Sequence, residues 1–300
     1  MVCIQILSDL HLESPRAYDI FDIPPKAPYL ALLGDIGYAV EHEAEYRGFL
    51  RRQLANFRVV FLVLGNHEPW HSSWDHTRAR MRDFEATIRE ERKAAARDGD
   101  VDDERNGRAT TTEETSALGE FILLDQTRYD LPLSGPESDG AGDAMVTILG
   151  CTLFSRVPPA QVDDISVYVQ DFYKTTDWTV QDHTARFEEE LAWLNNQVAA
   201  LEALGGNRKI IALTHYSPSL DERTVDPRHR NSHIQAGFAT DLTGEVCFQT
   251  PSIGLWVFGH THFNCDFVHD ERVRTKLLTN QRGYYFSQSN GFDVGKVVEI

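Results

Sequence analysis

Short apolar runs rich in β-branched residues recur along the chain, each about as long as a β-strand. Runs with so few polar interruptions are typical of strands that are covered on both faces. They predict strands at residues 2–7, 29–33, 59–64, 121–124, 145–151, 210–213, 255–258 and 296–300.

Other segments repeat apolar residues every three or four positions, which is the period of an amphipathic helix. This pattern predicts helices at residues 44–57 and 183–206, and a highly charged helix at 78–97. The tract 98–116 has almost no apolar residue, so we expect a mobile loop there. Residues 134–144 are rich in turn formers and predict a long hairpin connection.

Size and composition favour one elaborated domain over residues 1–300. The 300 residues are 41% hydrophobic, which is enough for one large core or two modest ones. Strands that alternate with helices indicate the α/β class, or α+β in the broader sense. Within this domain, the charged helix and loop at about 78–117 have the character of an insertion.

The net charge of −17 gives no general attraction to nucleic-acid backbones or anionic membranes. An anionic substrate would therefore need a local positive source, which a metal site would supply. The four cysteines are widely spaced and form no CxxC pair, so free thiols are expected. Since no leader-like start or membrane-length apolar stretch is seen, we expect no membrane partner and a reducing, cytoplasmic location.

Polar side chains follow directly after five of the predicted strands. In an open sheet with helical crossovers, strand ends on one edge converge on a common crevice, so these residues can meet there. They are Asp9, His11, Asp35, Asn66, His67, Glu68, His215, His260 and His262. Burying such a cluster is costly unless its charge is compensated, and divalent cations compensate it because they bind carboxylate and imidazole ligands.

Two of these motifs have a spacing of two residues, Asp9-x-His11 and His260-x-His262. Side chains on one face of an extended strand repeat every second residue, so each pair would approach a metal from one side. The glycines at 34, 65 and 259 would let the backbone turn tightly or approach closely. Any one of these short motifs is common in proteins, whereas the full set of them in this order along the chain is highly specific.

The ordered set DxH, GD, GNHE, H and GHxH, between residues 9 and 262, resembles the calcineurin-like metallophosphoesterase superfamily. That resemblance implies two packed mixed β-sheets flanked by helices, a four-layer sandwich with two metal ions at the strand ends. One ion would be held by Asp9, His11, Asp35 and His262, and the other by Asp35, Asn66, His215 and His260.

The resemblance also implies hydrolysis of phosphate esters by a hydroxide that the metals activate. His67 would donate a proton to the leaving oxygen. Glu68 would orient His67 or a nearby backbone group, or it is simply a loop carboxylate. The ions are expected to be Mn²⁺, Fe²⁺ or Zn²⁺, because mixed oxygen and nitrogen ligands accept several first-row metals.

Two other groups are candidates for substrate binding. Arg223, Arg228 and Arg230 lie in a loop after the fourth motif and would bring guanidinium groups to the phosphate, unless the loop is merely solvated. Trp70 would stack on a base or an aromatic leaving group, or it is only a packing residue of the cleft. The arginines at 78–97 alternate with acidic residues, so we expect no stripe for a phosphate backbone there.

The sequence departs from two better-known branches of the superfamily. Protein Ser/Thr phosphatases carry GDxVDRG and an arginine before GNHE, whereas this chain reads GDIGYAV and LVLGNHE. Small-molecule or nucleotide phosphate mono- or diesters are therefore the expected substrates. The alternatives are a catalytically weak metal-binding or partner-binding scaffold, a protein phosphatase, or a nuclease, which the charge disfavours.

The other branch is that of purple acid phosphatases, in which the tyrosine of GDxxY binds a ferric ion. Those enzymes lack the histidine of DxH, which this chain has as His11. Tyr38 is therefore expected to be a neighbour of the metal site and not a ligand.

Overall fold

The computed structural model describes residues 2–103, 118–132, 145–205, 208–270 and 272–300. In chain order its strands are β1 (Cys3–Leu7), β2 (Tyr29–Leu33), β3 (Val59–Val63), β4 (Glu120–Leu123), β5 (Thr127–Pro132), β6 (Met145–Cys151), β7 (Arg208–Thr214), β8 (Ile253–Phe258), β9 (Asp266–Val268), β10 (Lys276–Thr279), β11 (Gly283–Tyr284), β12 (Ser287–Gln288) and β13 (Val297–Glu299). Its helices are α1 (Glu43–Asn56), α2 (Trp74–Asp103), α3 (Val162–Tyr168), α4 (Asp171–Lys174), α5 (Val180–Ala203) and α6 (Val246–Gln249).

The described strands form two mixed sheets and one small hairpin. The first sheet has the order β13-β1-β2-β3-β4, in which β1 to β4 run parallel and β13 is antiparallel. The second has the order β5-β6-β7-β8-β10-β9, with parallel pairing in the centre and antiparallel strands at both edges. Strands β11 and β12 pair with each other. All eight strands predicted from apolar runs are confirmed.

The strands that the apolar runs did not predict are short or lie at edges. Strands β5 and β9 are the two edges of the second sheet, and β9 is largely exposed. Edge strands with one solvated face tolerate polar residues, so they leave no continuous apolar run in the sequence.

The two sheets pack face to face, and helices cover their outer faces. Along β2, Ala31 and Leu33 belong to the core between the sheets, whereas Leu30 and Leu32 belong to the core beneath the helices. This alternation is expected because successive side chains of a strand point to opposite faces. The helices contribute Phe49 from α1, Phe84 from α2 and Phe187 from α5. The four-layer sandwich implied by the resemblance is confirmed.

Helices α1 and α5 confirm the two amphipathic helices predicted from the sequence. Helix α5 begins with a capping box, in which the Thr179 hydroxyl accepts a hydrogen bond from the Asp182 backbone N–H at 3.1 Å. The Asp182 carboxylate accepts one in return from the Thr179 backbone N–H at 3.0 Å. These bonds satisfy donors that a helix N-terminus otherwise leaves unpaired.

Helix α2 is longer than the charged pattern predicts. Its residues Met81, Phe84 and Ile88 pack into the core, and the helix continues through 98–103, so the loop prediction is wrong for that stretch. Extending an existing helix costs far less than starting one, which lets α2 run into a polar tract. Residues 104–117 lie outside the described residues.

The predicted hairpin connection at 134–144 also lies outside the described residues. The strands that flank it, β5 and β6, pair antiparallel with Pro132 opposite Met145. The four cysteines are free thiols, as predicted. Within the described ranges, no helix has the length and apolar character needed to cross a lipid bilayer.

Candidate functional site

The loops that follow β1, β2, β3, β7 and β8 meet at one edge of the sandwich. Three of these strands belong to the first sheet and two to the second, so the site spans the junction between the sheets. Backbone hydrogen bonds join the loops: His11 N–H donates to the Asp35 carbonyl at 2.9 Å, and Gly259 N–H donates to the His215 carbonyl at 2.9 Å. The polar residues predicted after these strands are thereby brought together, and nearly all are buried.

Asp9, His11 and His262 form one cluster of potential metal ligands. The Nε2 atom of His262 lies 3.2 Å from Asp9 Oδ1 and 3.0 Å from His11 Nε2. Ligands on a tetrahedral ion with bonds of about 2.0–2.1 Å lie about 3.3 Å apart, so these spacings suit a shared ion. Burial, and then repulsion by His67, lowers the pKa of His11, which favours the neutral ring that a metal requires.

Asp35, His215 and His260 form a second cluster. His215 Nε2 lies 3.5 Å from Asp35 Oδ1 and 3.0 Å from Asn66 Oδ1, which brings the amide oxygen into the cluster. The Nδ1 of His215 donates a hydrogen bond to the Leu33 carbonyl at 2.8 Å. That bond leaves the lone pair of Nε2 available to an ion.

Asp35 faces both clusters. Its Oδ1 is the atom near His215, whereas its Oδ2 lies 3.9 Å from His11 Nε2. Burial raises the pKa of Asp35, but attraction to His67 and His215 outweighs burial and holds the pKa well below its ordinary value. An ionised carboxylate that faces both clusters is suited to bridge two ions.

His260 provides a separate test of whether an ion fits this site. Its Nε2 is buried and has no hydrogen-bond partner among the described residues. Buried polar atoms are nearly always paired, so this unpaired nitrogen indicates a binding partner that the protein itself does not supply. The oxygen and imidazole donors of the two clusters match the preferences of divalent first-row ions.

Five candidate ligands have a left-handed backbone. Asp9, His11, Asp35, His260 and His262 have φ values between +47° and +68°. The prediction that each two-residue spacing lies on an extended strand is therefore wrong, because the strands end earlier and tight turns bring the side chains together. Such conformations cost about 1–3 kcal/mol for each non-glycine residue and are found mainly at functional sites.

Two glycines allow the ligand loops to touch. A Cβ atom on Gly65 would overlap Asp35 Oδ1 and would lie 2.8 Å from His215 Cε1. Gly34 has a φ of +86° and packs directly against Gly65. Both positions therefore need the close approach that only glycine permits.

His67 lies at the wall of the cleft beside both clusters. Its Nε2 is 3.9 Å from Asp35 Oδ2 and 3.5 Å from the Tyr284 hydroxyl, and its ring stacks on Trp70 with centroids 3.6 Å apart. Burial lowers the pKa of His67, but attraction to Asp35 and the bond to Glu13 outweigh burial and raise the pKa to about 9. The ring is thus held on two sides, with Nε2 toward the cleft.

Sequence reasoning missed Glu13, a buried carboxylate that joins two of the histidines. Its Oε1 accepts hydrogen bonds from His11 Nδ1 at 3.0 Å and from His67 Nδ1 at 2.9 Å. Burial raises the pKa of Glu13, but these two bonds outweigh burial and lower the pKa to about 2. The sequence signal for Glu13 was its spacing, because Glu13 lies two residues after His11, just as His11 lies two residues after Asp9.

Asp171, the first residue of α4, is another buried carboxylate that the sequence did not mark. Its Oδ1 accepts hydrogen bonds from Asn66 Nδ2 at 2.8 Å and from Trp70 Nε1 at 3.1 Å. The bond to Asn66 turns the amide oxygen toward His215. No motif surrounds Asp171 in the sequence, so only the fold reveals it.

Glu68 is buried among the ligand loops. Its carboxylate accepts hydrogen bonds from the backbone N–H groups of Asp35, Ile36 and Gly65 at 2.7–3.0 Å. The Tyr46 hydroxyl also donates to it at 3.1 Å. Burial and repulsion from Asp35 raise the pKa of Glu68 to about 7. Its contacts are those of a residue that positions the backbone of the ligand loops.

The three arginines expected at the phosphate form local ion pairs instead. The pairs are Arg223 with Asp221 at 2.7 Å, Arg228 with Asp226 at 2.6 Å, and Arg230 with Glu222 at 3.0 Å. The described residues that line the cleft include Val225 and His229 from this loop but no arginine. Trp70, the other substrate-binding candidate, does line the cleft.

Tyr38 packs among aromatic rings beside the site. Its ring centroid lies 5.1 Å from those of His42 and His71 and 6.3 Å from that of His67. These are the contacts of a packing residue next to the clusters.

The sequence profile of the family described as calcineurin-like phosphoesterase matches residues 4–264 of this chain. The chain belongs to the calcineurin-like phosphoesterase family. This phosphoesterase is accordingly a metal-dependent hydrolase of phosphoric esters.

A solved structure adds support for the fold of this phosphoesterase. The crystal structure of the phosphopantetheinyl hydrolase PptH from Mycobacterium tuberculosis matches it with a TM-score of 0.59. The match covers 94% of this chain and 89% of the other at 19% sequence identity, which shows a shared fold alone. No protein with a curated description is significantly similar to this chain.

Proposed function

We propose that this phosphoesterase hydrolyses small-molecule or nucleotide phosphate mono- or diesters at a centre of two divalent ions. The observation that carries the proposal is the position of Asp35, which faces both ligand clusters at the wall of a cavity of about 350 Å³. Cavities that bind small molecules range from about 300 to 1,000 Å³. This cavity is therefore suited to a small ester.

The two clusters define the residues that would hold the ions. Asp9, His11, Asp35 and His262 would hold one ion, and Asp35, Asn66, His215 and His260 would hold the other. Mn²⁺, Fe²⁺ and Zn²⁺ all accept such mixed donors. When bound, the ions would acidify water into a nucleophile and offset charge on the phosphoryl oxygens.

His67 is the proposed proton donor to the leaving oxygen. Because Glu13 holds its Nδ1, His67 presents Nε2 to the cleft, and stacking on Trp70 fixes the plane of the ring. A positioned general acid typically contributes about 10²–10⁴-fold to the rate. Glu68 would contribute indirectly, by holding the backbone of the ligand loops.

Hydrolysis of p-nitrophenyl phosphate esters with each of the three metals tests this proposal. His67→Ala should lower kcat by at least about a hundredfold without loss of bound metal. The matched control is His76→Ala, because His76 is exposed and lies outside the cleft lining. Unchanged turnover in His67→Ala would refute the proton-donor role.

A wider substrate panel tests the alternatives. Phosphomonoesters, linear diesters and cyclic nucleotides should be compared with phosphopeptides and with single-stranded DNA. A phosphopantetheinyl ester belongs in the panel because a hydrolase named for that group shares the fold. Full metal loading of a folded protein without turnover of any ester would favour the scaffold alternative.

The four free thiols favour a reducing compartment, which supports a cytoplasmic location for this enzyme.

A further inference from the structure

The short hairpin of β11 and β12 places one aromatic ring over the cluster of Asp9, His11 and His262, here called the first cluster. The side chain of Tyr284 lines the cleft, and its ring centroid lies 4.3 Å from that of His11 and 4.8 Å from that of His262. The plane of the tyrosine is tilted by 34° to His11 and meets His262 edge to face at 75°. Aromatic rings attract each other in such arrangements. One tyrosine ring therefore contacts both histidines of the first cluster.

Hydrogen bonds join this hairpin to the two loops that carry the histidines. The Gly283 N–H donates to the Asp9 carbonyl at 3.0 Å, and the Ser289 hydroxyl donates to the His262 carbonyl at 2.7 Å. Gly283 has a φ of +76°, which glycine adopts without strain. The backbone of the ligand loops thus sets the position of the tyrosine ring above them.

The ring of His262 has less hydrogen-bonded support than two other ligand candidates. Glu13 holds Nδ1 of His11, and the Leu33 carbonyl holds Nδ1 of His215. Among the described residues, no hydrogen bond is formed at Nδ1 of His262, and its Nε2 is the atom that faces the first cluster. A histidine that binds a metal needs a contact on its far side to fix the direction of the ring. Contact with the tyrosine ring supplies one here.

The second cluster has different aromatic neighbours. In the part of the chain that the structure describes, the His215 ring packs on Tyr216 with centroids 5.5 Å apart, and the His260 ring packs on Tyr216 at 4.2 Å and on Phe238 at 4.9 Å. No ring contact or hydrogen bond among these described residues joins Tyr284 to either histidine. Loss of the Tyr284 ring should therefore affect the two clusters unequally.

We propose that Tyr284 is a positioning residue, whose ring keeps Nε2 of His262 facing Asp9 and His11, where the first ion would be held. This inference rests on the proposed function, because it concerns a site for two ions. The hydroxyl of Tyr284 lies 3.5 Å from Nε2 of His67 and on neither ligand histidine. The role therefore belongs to the ring, and phenylalanine should preserve it.

Calorimetric titration of the metal-free protein with Mn²⁺ tests this role without any measurement of turnover. Tyr284→Ala should lower the affinity for one of the two ions at least about tenfold and leave the affinity for the other within about twofold. The weakened step should be the one that is lost in His262→Ala. Tyr284→Phe keeps the ring and should bind both ions like the wild type. Because Tyr284 is 46% exposed, we expect its variants to fold.

The matched control is Phe286→Ala, which removes an aromatic ring from the same hairpin. Phe286 is 92% exposed and lies outside the described cleft lining, so this variant should bind both ions like the wild type. Wild-type affinity for both ions in Tyr284→Ala would overturn the proposal, and so would an equal loss in Tyr284→Phe. A wild-type protein that binds fewer than two ions would instead refute the proposed two-ion function, and this inference with it.

NMR spectra of the metal-free protein test the ring contact directly. The Cε1–H signals of His11 and His262 should move in Tyr284→Ala, because a neighbouring aromatic ring shifts such signals, and should stay near their wild-type positions in Tyr284→Phe. The signal of His183, which is bonded to Ser155, is the internal control and should not move in either variant. An unmoved His262 signal in Tyr284→Ala would contradict the contact on which the proposal depends.

Discussion

Removal of the Glu13 carboxylate should disturb metal binding and proton donation together. Glu13 is 7% exposed, and one of its oxygens receives hydrogen bonds from both His11 and His67. A hydrogen bond to a charged group contributes about 1.5–3 kcal/mol, and loss of a partner that orients a metal-binding histidine typically costs 10–100-fold in affinity or activity. Because two histidines lose their orientation, Glu13→Ala should lower kcat/KM by at least about a hundredfold, or about 2.7 kcal/mol.

Two measurements separate the two effects of Glu13. Metal affinity, measured by titration, reports on His11, whereas kcat at saturating metal reports on His67. Glu13→Gln keeps an acceptor oxygen and loses only the charge, so a loss of about tenfold is expected from the weaker bond. The exposed residue Glu45 offers a control through Glu45→Gln, and thermal unfolding checks that each variant is folded.

We expect the orientation of both His11 and His67 to depend on the Glu13 carboxylate. A folded Glu13→Ala protein with the metal affinity and kcat of the wild type would refute this expectation. A loss confined to metal affinity would show that His67 is held by Trp70 alone.

Three further predictions concern other positions. Gly65→Ala should abolish tight metal binding, because its Cβ would overlap Asp35 Oδ1; calorimetric titration with unchanged metal affinity would contradict this. His183 is buried, accepts a hydrogen bond from Ser155 N–H, and has a pKa that burial lowers to about 3. Between that value and its unfolded pKa of about 6.5, the unfolded state binds more protons, so stability is lost as pH falls, by up to about 1.4 kcal/mol per pH unit. Urea unfolding at pH 7 and pH 5.5 should therefore show a weaker pH dependence in His183→Gln than in the wild type, and equal slopes would count against it. Tyr38→Phe should keep metal content and kcat within twofold, and a visible absorption band that disappears in this variant would instead make Tyr38 a ligand.

The strand framework and the position of the ligand candidates could be predicted from the sequence because both depend on local patterns. Buried parallel strands need continuous apolar runs, and the residues that follow them must converge on one edge. The edge strands β5 and β9 were not predicted because they are partly solvated. The full length of α2 was not predicted because the polarity of its last residues does not show that an existing helix continues through them.

The supporting residues of the site could not be predicted in the same way. Asp171 contacts Asn66 across more than a hundred residues of chain, and nothing near it in the sequence indicates that contact. The arginines of the loop after β7 illustrate the opposite case. Their charge suggested phosphate binding, but Asp221 and Asp226 lie only two residues away from Arg223 and Arg228 and form ion pairs with them.

The left-handed backbone at five ligand candidates has a consequence for how the protein evolves. Glycine adopts these φ values without the strain that aspartate or histidine meets, so substitution by glycine at such positions would relieve strain. Selection for stability alone would therefore remove the metal site first, and a lineage freed from catalysis would drift toward a more stable, metal-free scaffold. The aspartates and histidines with a left-handed backbone are thus positions at which this chain gives up stability for the geometry of its ligand loops.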